Sequence, residues 1–279
     1  MLASTPFFRQ ENGFYIGNQG ACGPWSDDAC HAGPPAAAFA RELELLCDKQ
    51  LIRLQIDLIR PVPMQGFKIA AELTKEGRST AYATAKLLGK DGKLCATANG
   101  LFHTMTELPA FEVVEKPLLD FSPVERFLRE GEASPTARKG REVLPAKNGF
   151  GKAVEPICPE DTPTDTAQGA IPGVESTMWM RTPELLPNES MSGFQRVCPL
   201  ADCINALAAN LDFKDYLFMN TDLTVALHRI PDASAEWIGL RGVGNCHQNG
   251  MGLVRGELHD KHGSIGTVLQ NLLLRSRQG

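Results

Sequence analysis

Positive charge is scarce in this chain: 28 Lys and Arg stand against 33 Asp and Glu, a net charge of −5 over 279 residues. Nucleic-acid binding needs a clustered basic footprint, so that class is disfavoured. No apolar run approaches the ~18 residues of a membrane-crossing helix. The opening residues, Met1-Leu2-Ala3-Ser4-Thr5-Pro6, have neither the basic start nor the apolar stretch of a secretory signal. The eight cysteines include no C-x-x-C pair, so reduced thiols and a cytoplasmic setting are expected. His31 beside Cys30 has no second pair at ligand spacing, and no metal is expected. Several catalytic signatures are missing as well. G-x-S-x-G, H-E-x-x-H and a P-loop do not occur, and Gly250-Met251-Gly252 stands without a phosphate-binding surround. Apolar content of 43% and charged content of 22% are those of an ordinary globular protein with room for one large or two modest cores.

What the chain does contain is one pattern twice. Leu51–Asp57 alternates, Arg60-Pro61-Val62-Pro63 breaks it, and strand-like stretches at Gly77–Leu88 and Leu94–Phe102 follow, joined by the turn Lys90–Lys93. In the second half Asn220–Leu227 alternates and His228-Arg229-Ile230-Pro231 breaks it. Met251–Leu258 and Ser264–Leu274 then follow, joined at Asp260–Gly263. Arg60 to Arg229 is an offset of 169 and Gly92 to Gly263 one of 171, so the register barely drifts. A Pro-led helix precedes each copy, Pro35–Leu46 with the stripe Ala36, Phe39, Leu43 and Leu46, and Pro199–Leu211 with Leu200, Ile204, Leu207 and Leu211. A repeated helix-then-sheet unit predicts two similar modules packed as an internal pseudo-dimer.

Between the copies the character changes. Nine of the 19 prolines lie in Thr106–Thr177 with few periodic apolar residues, which predicts a long connection with at most a short helix near Val124–Glu130. The predicted organisation is an N-terminal module over 1–105, a Pro-rich connection over 106–177 and a C-terminal module over 178–279. In the second strand Thr221, Leu223, Val225 and Leu227 are expected inside, with Asn220, Asp222 and Thr224 on the other face. His247, His259 and His262 occupy turn-like stretches and are expected at the surface.

The residues that carry a resemblance are spread over both copies. They are Gly23-Pro24-Trp25, Cys30-His31-Ala32-Gly33-Pro34, Arg60-Pro61-Val62-Pro63 and Gly77-Arg78-Ser79 in the first. In the second they are Leu200-Ala201-Asp202, Asn220-Thr221-Asp222-Leu223-Thr224, His228-Arg229 and Gln270. In order and spacing the chain resembles the acyl-CoA thioesterase II-like family. The fold this implies is α+β, a double hotdog in which each long helix is wrapped by an antiparallel sheet. The resemblance implies hydrolysis of an acyl-CoA thioester with no covalent nucleophile and no cofactor, in a chain expected to form a homodimer. An Asp, a hydroxyl residue and a Gln hold the water in that family. They carry over to Asp202, Asn220 and Gln270, and the Asn is a departure from the hydroxyl. His31, Gly33 and Thr224 are the candidate substrate-contacting residues.

Of the three, only Asp202 can take a proton when ionised, so it is the candidate general base, and the two amides can orient water. Alignment of the copies sets Ala37 or Ala38 against Asp202, Leu51 against Asn220 and Asn99 against Gln270, which predicts a single site per chain. Structural roles compete with these readings: an acidic residue in a helix's first turn meets the macrodipole favourably, and Asn and Asp at a strand start are common turn residues. The alternative function is a catalytically silent binder of acyl thioesters or hydrophobic ligands, favoured by the Asn. Hotdog hydratases use a compact Asp-x-Asn-Pro-x-His pattern, which Asp202-Cys203-Ile204-Asn205 does not reproduce.

Overall fold

The computed structural model describes residues 5–109, 111, 118–147, 149–163, 175–208, 211–212, 214–232 and 234–277. The first unit comprises β1 (Phe8–Glu11), β2 (Phe14–Gly17), α1 (Gly33–Glu44), β3 (Gln50–Leu58), β4 (Phe67–Glu76), β5 (Thr80–Gly89) and β6 (Leu94–His103). The connection holds α2 (Ser122–Glu130), α3 (Pro135–Val143), α4 (Gly149–Ala153) and β7 (Glu155–Ile157). The second unit has β8 (Ser176–Arg181), α5 (Gly193–Ala201), α6 (Ile204–Leu207), β9 (Tyr216–Asn220), β10 (Asp222–Leu227), β11 (Ile238–Cys246), β12 (Met251–Asp260) and β13 (Gly263–Ser276).

All strands join one antiparallel sheet in the order β1-β2-β4-β5-β6-β3-β10-β13-β12-β11-β8-β7, with β9 also paired to β13. Outward from the seam between β3 and β10, the first unit runs β3-β6-β5-β4-β2 and the second β10-β13-β12-β11-β8. The two are the same arrangement related by a pseudo-two-fold axis at the seam. Strands β4 and β11, absent from the sequence pattern, complete each copy.

Helix α1 packs on β3, β4, β5 and α5, and α5 packs on β10 and β11. Being covered on both sides, α1 buries Ala37, Ala38 and Ala40 as well as the expected Ala36, Phe39 and Leu43. The second helix differs from expectation. It starts at Gly193 rather than Pro199, because Ser192 caps it by accepting from the Gln195 N–H at 3.1 Å. Pro199 lies inside it and the helix ends two residues later, as expected of a residue that removes a backbone donor. Asp202 is therefore the C-cap, at the opposite end of the helix from the one expected. Residues 209–210 of the expected Pro199–Leu211 helix lie outside the described residues.

Each seam strand carries a one-residue bulge at the same place. In β3, Leu51 pairs with Phe102 and Arg53 with Leu101, so Ile52 is the extra residue. In the second copy Asn220 pairs with Leu272 but Thr224 with Leu269, so the extra residue is Thr221, which is exposed rather than inside. A bulge re-aims the side chains on one side of it. Leu51, not Ile52, is thereby buried with Leu54 and Ile56, and Asn220 is freed from the outward face of Asp222 and Thr224.

The connection is folded to a greater extent than its prolines suggest. Pro123 and Pro135 stand in the first turns of α2 and α3, where a missing N–H costs nothing. Leu119, Val124, Phe127, Ala137, Ile157, Trp179 and Trp237 form a second apolar cluster beneath these helices. Parts of the connection, residues 110, 112–117, 148 and 164–174, lie outside the described residues. His247 and His262 are exposed, but His259 is fully buried, because it sits within β12 opposite Gly239 rather than in a turn.

Candidate functional site

The end of α5 meets the start of α1, and the contact is close. A Cβ on Gly33 would lie 2.8 Å from Pro199 Cα and 3.3 Å from Asp202 Cβ, so only glycine lets the two helices approach this far. Asp202 is 3% exposed. It stands at the negative end of α5, which disfavours a carboxylate, and beside the positive end of α1, which favours one.

Side-chain donors complete the arrangement. Asn220 Nδ2 donates to Asp202 Oδ1 at 2.8 Å, and Gln270 Nε2 donates to the same oxygen at 3.2 Å and to the Asp202 carbonyl at 3.4 Å. His31 Nδ1 lies 2.8 Å from Asp202 Oδ2. The Gly33 N–H also approaches this nitrogen, at 3.3 Å. One ring nitrogen cannot both donate to Asp202 and accept from Gly33. A carboxylate only accepts, and its contact is the shorter, so in the neutral ring the proton belongs on Nδ1 and the lone pair on Nε2. Phe150, at the start of α4, stacks on the imidazole with centroids 3.8 Å apart and planes 5° from parallel, and Phe7 stacks behind it. The connection thus reaches the site.

A carboxylate offers about four lone-pair positions. Three are engaged by Asn220, Gln270 and His31, and one on Oδ2 remains. Gln270 is fully buried, and its Oε1 has no protein partner among the described residues. A buried acceptor of this kind ordinarily takes a hydrogen bond from water or a ligand. The nearby sulfurs offer no competing nucleophile. Burial pushes the Cys30, Cys198 and Cys203 thiols well above their ordinary values, and for Cys198 and Cys203 the Asp202 charge adds to it. They remain protonated, and only a thiolate attacks.

Asp202, Asn220 and Gln270, distant in sequence, are therefore brought together. His31 and Gly33 join them. Thr224 does not: its ladder partners are Gln55 and the outward-facing Leu269, whereas Gln270 on the next position faces the helices. The direct His31–Asp202 contact was not among the expectations. No spacing rule links residues 171 apart, although facing helix ends in a pseudo-dimer could have suggested it.

The counterparts in the first copy also differ from the sequence alignment. Thr224 pairs with Leu269 as Gln55 pairs with Asn99, so Gln270 corresponds to Gly100 rather than Asn99. The end of α1 carries Glu42 and Glu44 where the end of α5 carries Asp202, so the first copy lacks the amides and not the carboxylate. The error followed from the misplaced start of α5.

Comparison with known families settles the class. The profile of the acyl-CoA thioesterase N-terminal domain matches residues 22–103, and that of the C-terminal domain matches residues 129–274. The chain belongs to the acyl-CoA thioesterase family. The enzyme is a hydrolase of hotdog fold, and solved structures agree on the fold. A protein with a hot dog fold from Alicyclobacillus acidocaldarius shares 16% identity, with 98% of this chain and 96% of that chain covered and a TM-score of 0.67. The tesB protein of Mycobacterium avium subs paratuberculosis shares 15% identity over 98% and 96% of the chains, with a TM-score of 0.62. The acyl-CoA thioesterase II TesB2 of Mycobacterium marinum shares 15% over 97% and 95%, with a TM-score of 0.58. No match was found among curated proteins. Among the described residues of the enzyme, no helix is long and apolar enough to cross a membrane, and no three His, Cys, Asp or Glu are grouped to hold a metal.

Proposed function

We propose that the enzyme hydrolyses acyl-CoA thioesters with a water molecule activated at Asp202 and oriented by Asn220 and Gln270. The observation that carries this reading is the convergence of both amides on one carboxylate oxygen. Held this way, Asp202 keeps a lone pair on Oδ2, and Gln270 Oε1 is a second acceptor with no protein partner among the described residues. Water donating to one of these acceptors would present its oxygen to a thioester carbonyl. Asp202 supplies the negative charge that makes removal of a proton from that water favourable. Backbone N–H groups in the first turn of α1, near Gly33, are the candidates to polarise the carbonyl as it becomes an oxyanion. The buried, protonated cysteines support water over a thiolate as nucleophile.

Asn220 in place of the hydroxyl residue favours one competing reading, a protein that binds acyl thioesters without cleaving them. Thiol release from a panel of acyl-CoAs separates the two. Turnover that falls by roughly 10²–10⁴-fold in Asp202→Asn is expected. Binding without thiol release selects the silent binder, and unchanged turnover in the variant removes Asp202 from the mechanism. A homodimer is part of the same reading, and light scattering at the monomer mass of 30.3 kDa would contradict it.

A further inference from the structure

His31 comes from the first module and Asp202 from the second, and their contact is built with care that a chance surface pair would not need. The carboxylate is buried and the side chain of His31 is 13% exposed. Phe150 fixes the ring plane from one side, and Asp202 Oδ2 fixes its rotation through Nδ1. The consequence is that the neutral ring has a single tautomer, with its lone pair on Nε2. Asp202 itself already accepts three protein donors, two of them on Oδ1. The group at the site with a lone pair of its own and a carboxylate behind it is the imidazole.

We propose that His31 carries the proton during hydrolysis and that Asp202 acts through it, as an imidazole–carboxylate dyad spanning the two modules. This rests on the reading that Asp202 drives attack by water. As the water oxygen bonds to the thioester carbon, its proton passes to His31 Nε2, and the carbonyl electron pair moves onto oxygen. The oxyanion then re-forms the C=O bond, the C–S bond breaks with its electron pair on sulfur, and the proton moves from Nε2 to sulfur. A carboxylic acid and a thiol leave, and the imidazole is again neutral. Asp202 remains an anion throughout and stabilises the imidazolium between the two transfers. The amides of Asn220 and Gln270 hold the carboxylate so that its other oxygen faces the ring.

The test replaces the ring while keeping its donor. His31→Asn places an amide N–H near the position of Nδ1, so Asp202 keeps a partner, but nothing replaces Nε2. His31→Ala removes both. With acyl-CoA as substrate and thiol release as the readout, His31→Asn is expected to lose about 10²-fold or more in kcat with KM within about threefold of the parent. Its melting temperature should stay near the parent's. A loss below tenfold in His31→Asn, with a large loss only in His31→Ala, would mean the ring merely props up Asp202 and would overturn the proposal. If His31→Asn melts below the assay temperature, His31→Gln is read by the same criterion. Loss of activity in Asp202→Asn beside an active His31→Asn removes His31 alone. No turnover by the unaltered enzyme overturns both this inference and the hydrolytic reading beneath it.

Discussion

The two modules share a backbone plan, and four pairs of equivalent positions show how they divide. At the bulge, the first copy has Leu51 and the second Asn220. On the neighbouring strand, Gly100 stands where Gln270 does, and the space a side chain would occupy there is bounded by Leu43, Leu51 and Phe102. At the helix end, Glu44 accepts from Ser192 Oγ and Gln195 Nε2, whereas Asp202 accepts from His31, Asn220 and Gln270. After the strand, the Arg60 guanidinium donates to the Leu94 carbonyl at 3.2 Å, whereas Arg229 grips Asp260 with both terminal nitrogens, at 2.6 and 2.7 Å. The first copy is thus an apolar wall with its carboxylates spent on helix contacts. A fold can be duplicated and its two halves given different side chains at equivalent positions without disturbing the sheet.

Five substitutions test that contrast. Asn220→Leu gives the second copy the residue of the first; kcat should fall about 10²-fold while stability holds or rises, since an amide is replaced by an apolar group. Loss of folding instead, seen in a melting curve, would show the bulge residue to be structural. Arg229→Ala strands the buried Asp260 carboxylate and should cost about 2–3 kcal/mol in urea unfolding, whereas Arg60→Ala should cost under about 1. Burial alone would raise the Asp260 carboxyl, but the Arg229 guanidinium and the His262 N–H hold it below its usual value. Its contribution is therefore present above the ordinary carboxylate range and lost as pH falls through the depressed value. Arg229→Ala should flatten that acid sensitivity. Gly33→Ala pushes α1 from α5 and should cost about 1–3 kcal/mol by overpacking, with turnover reduced because Asp202 moves too. Equal stability of this variant would mean the helices are free to separate. The smallest effect belongs to Glu44→Gln. Burial raises the Glu44 carboxyl despite its bonds to Gln195 and Ser192. Its favourable contribution is present at acid pH and fades as pH rises through the raised value. Relative to the unaltered enzyme, Glu44→Gln should melt lower near pH 4 and close that gap toward pH 7.

Much of this was legible in the residues. The offsets of 169 and 171 locate the two copies, and the order and spacing of the motifs pick out Asp202, Asn220 and Gln270 through the family resemblance. The start of α5 is obscured by a Pro-led apolar run that itself reads as a helix start, although Ser192 with Gln195 three residues on carries the capping signal. Bulges at Ile52 and Thr221 were hidden, since one extra residue leaves alternation intact on either side and alters only its phase. The folded connection was masked by prolines that begin helices as readily as they break strands. The pairing of His31 with Asp202 belongs to neither copy's local pattern and exists only once the modules are docked.

The seam between β3 and β10 has a consequence for any attempt to divide the chain. A fragment holding only the C-terminal half would retain the carboxylate and both amides, yet it would expose the whole hydrogen-bonding edge of β10 to solvent and to other copies. It would also be without the imidazole and without the helix whose glycine lets Asp202 lie where it does. Though built from two like parts, the molecule assembles its candidate site only where both meet.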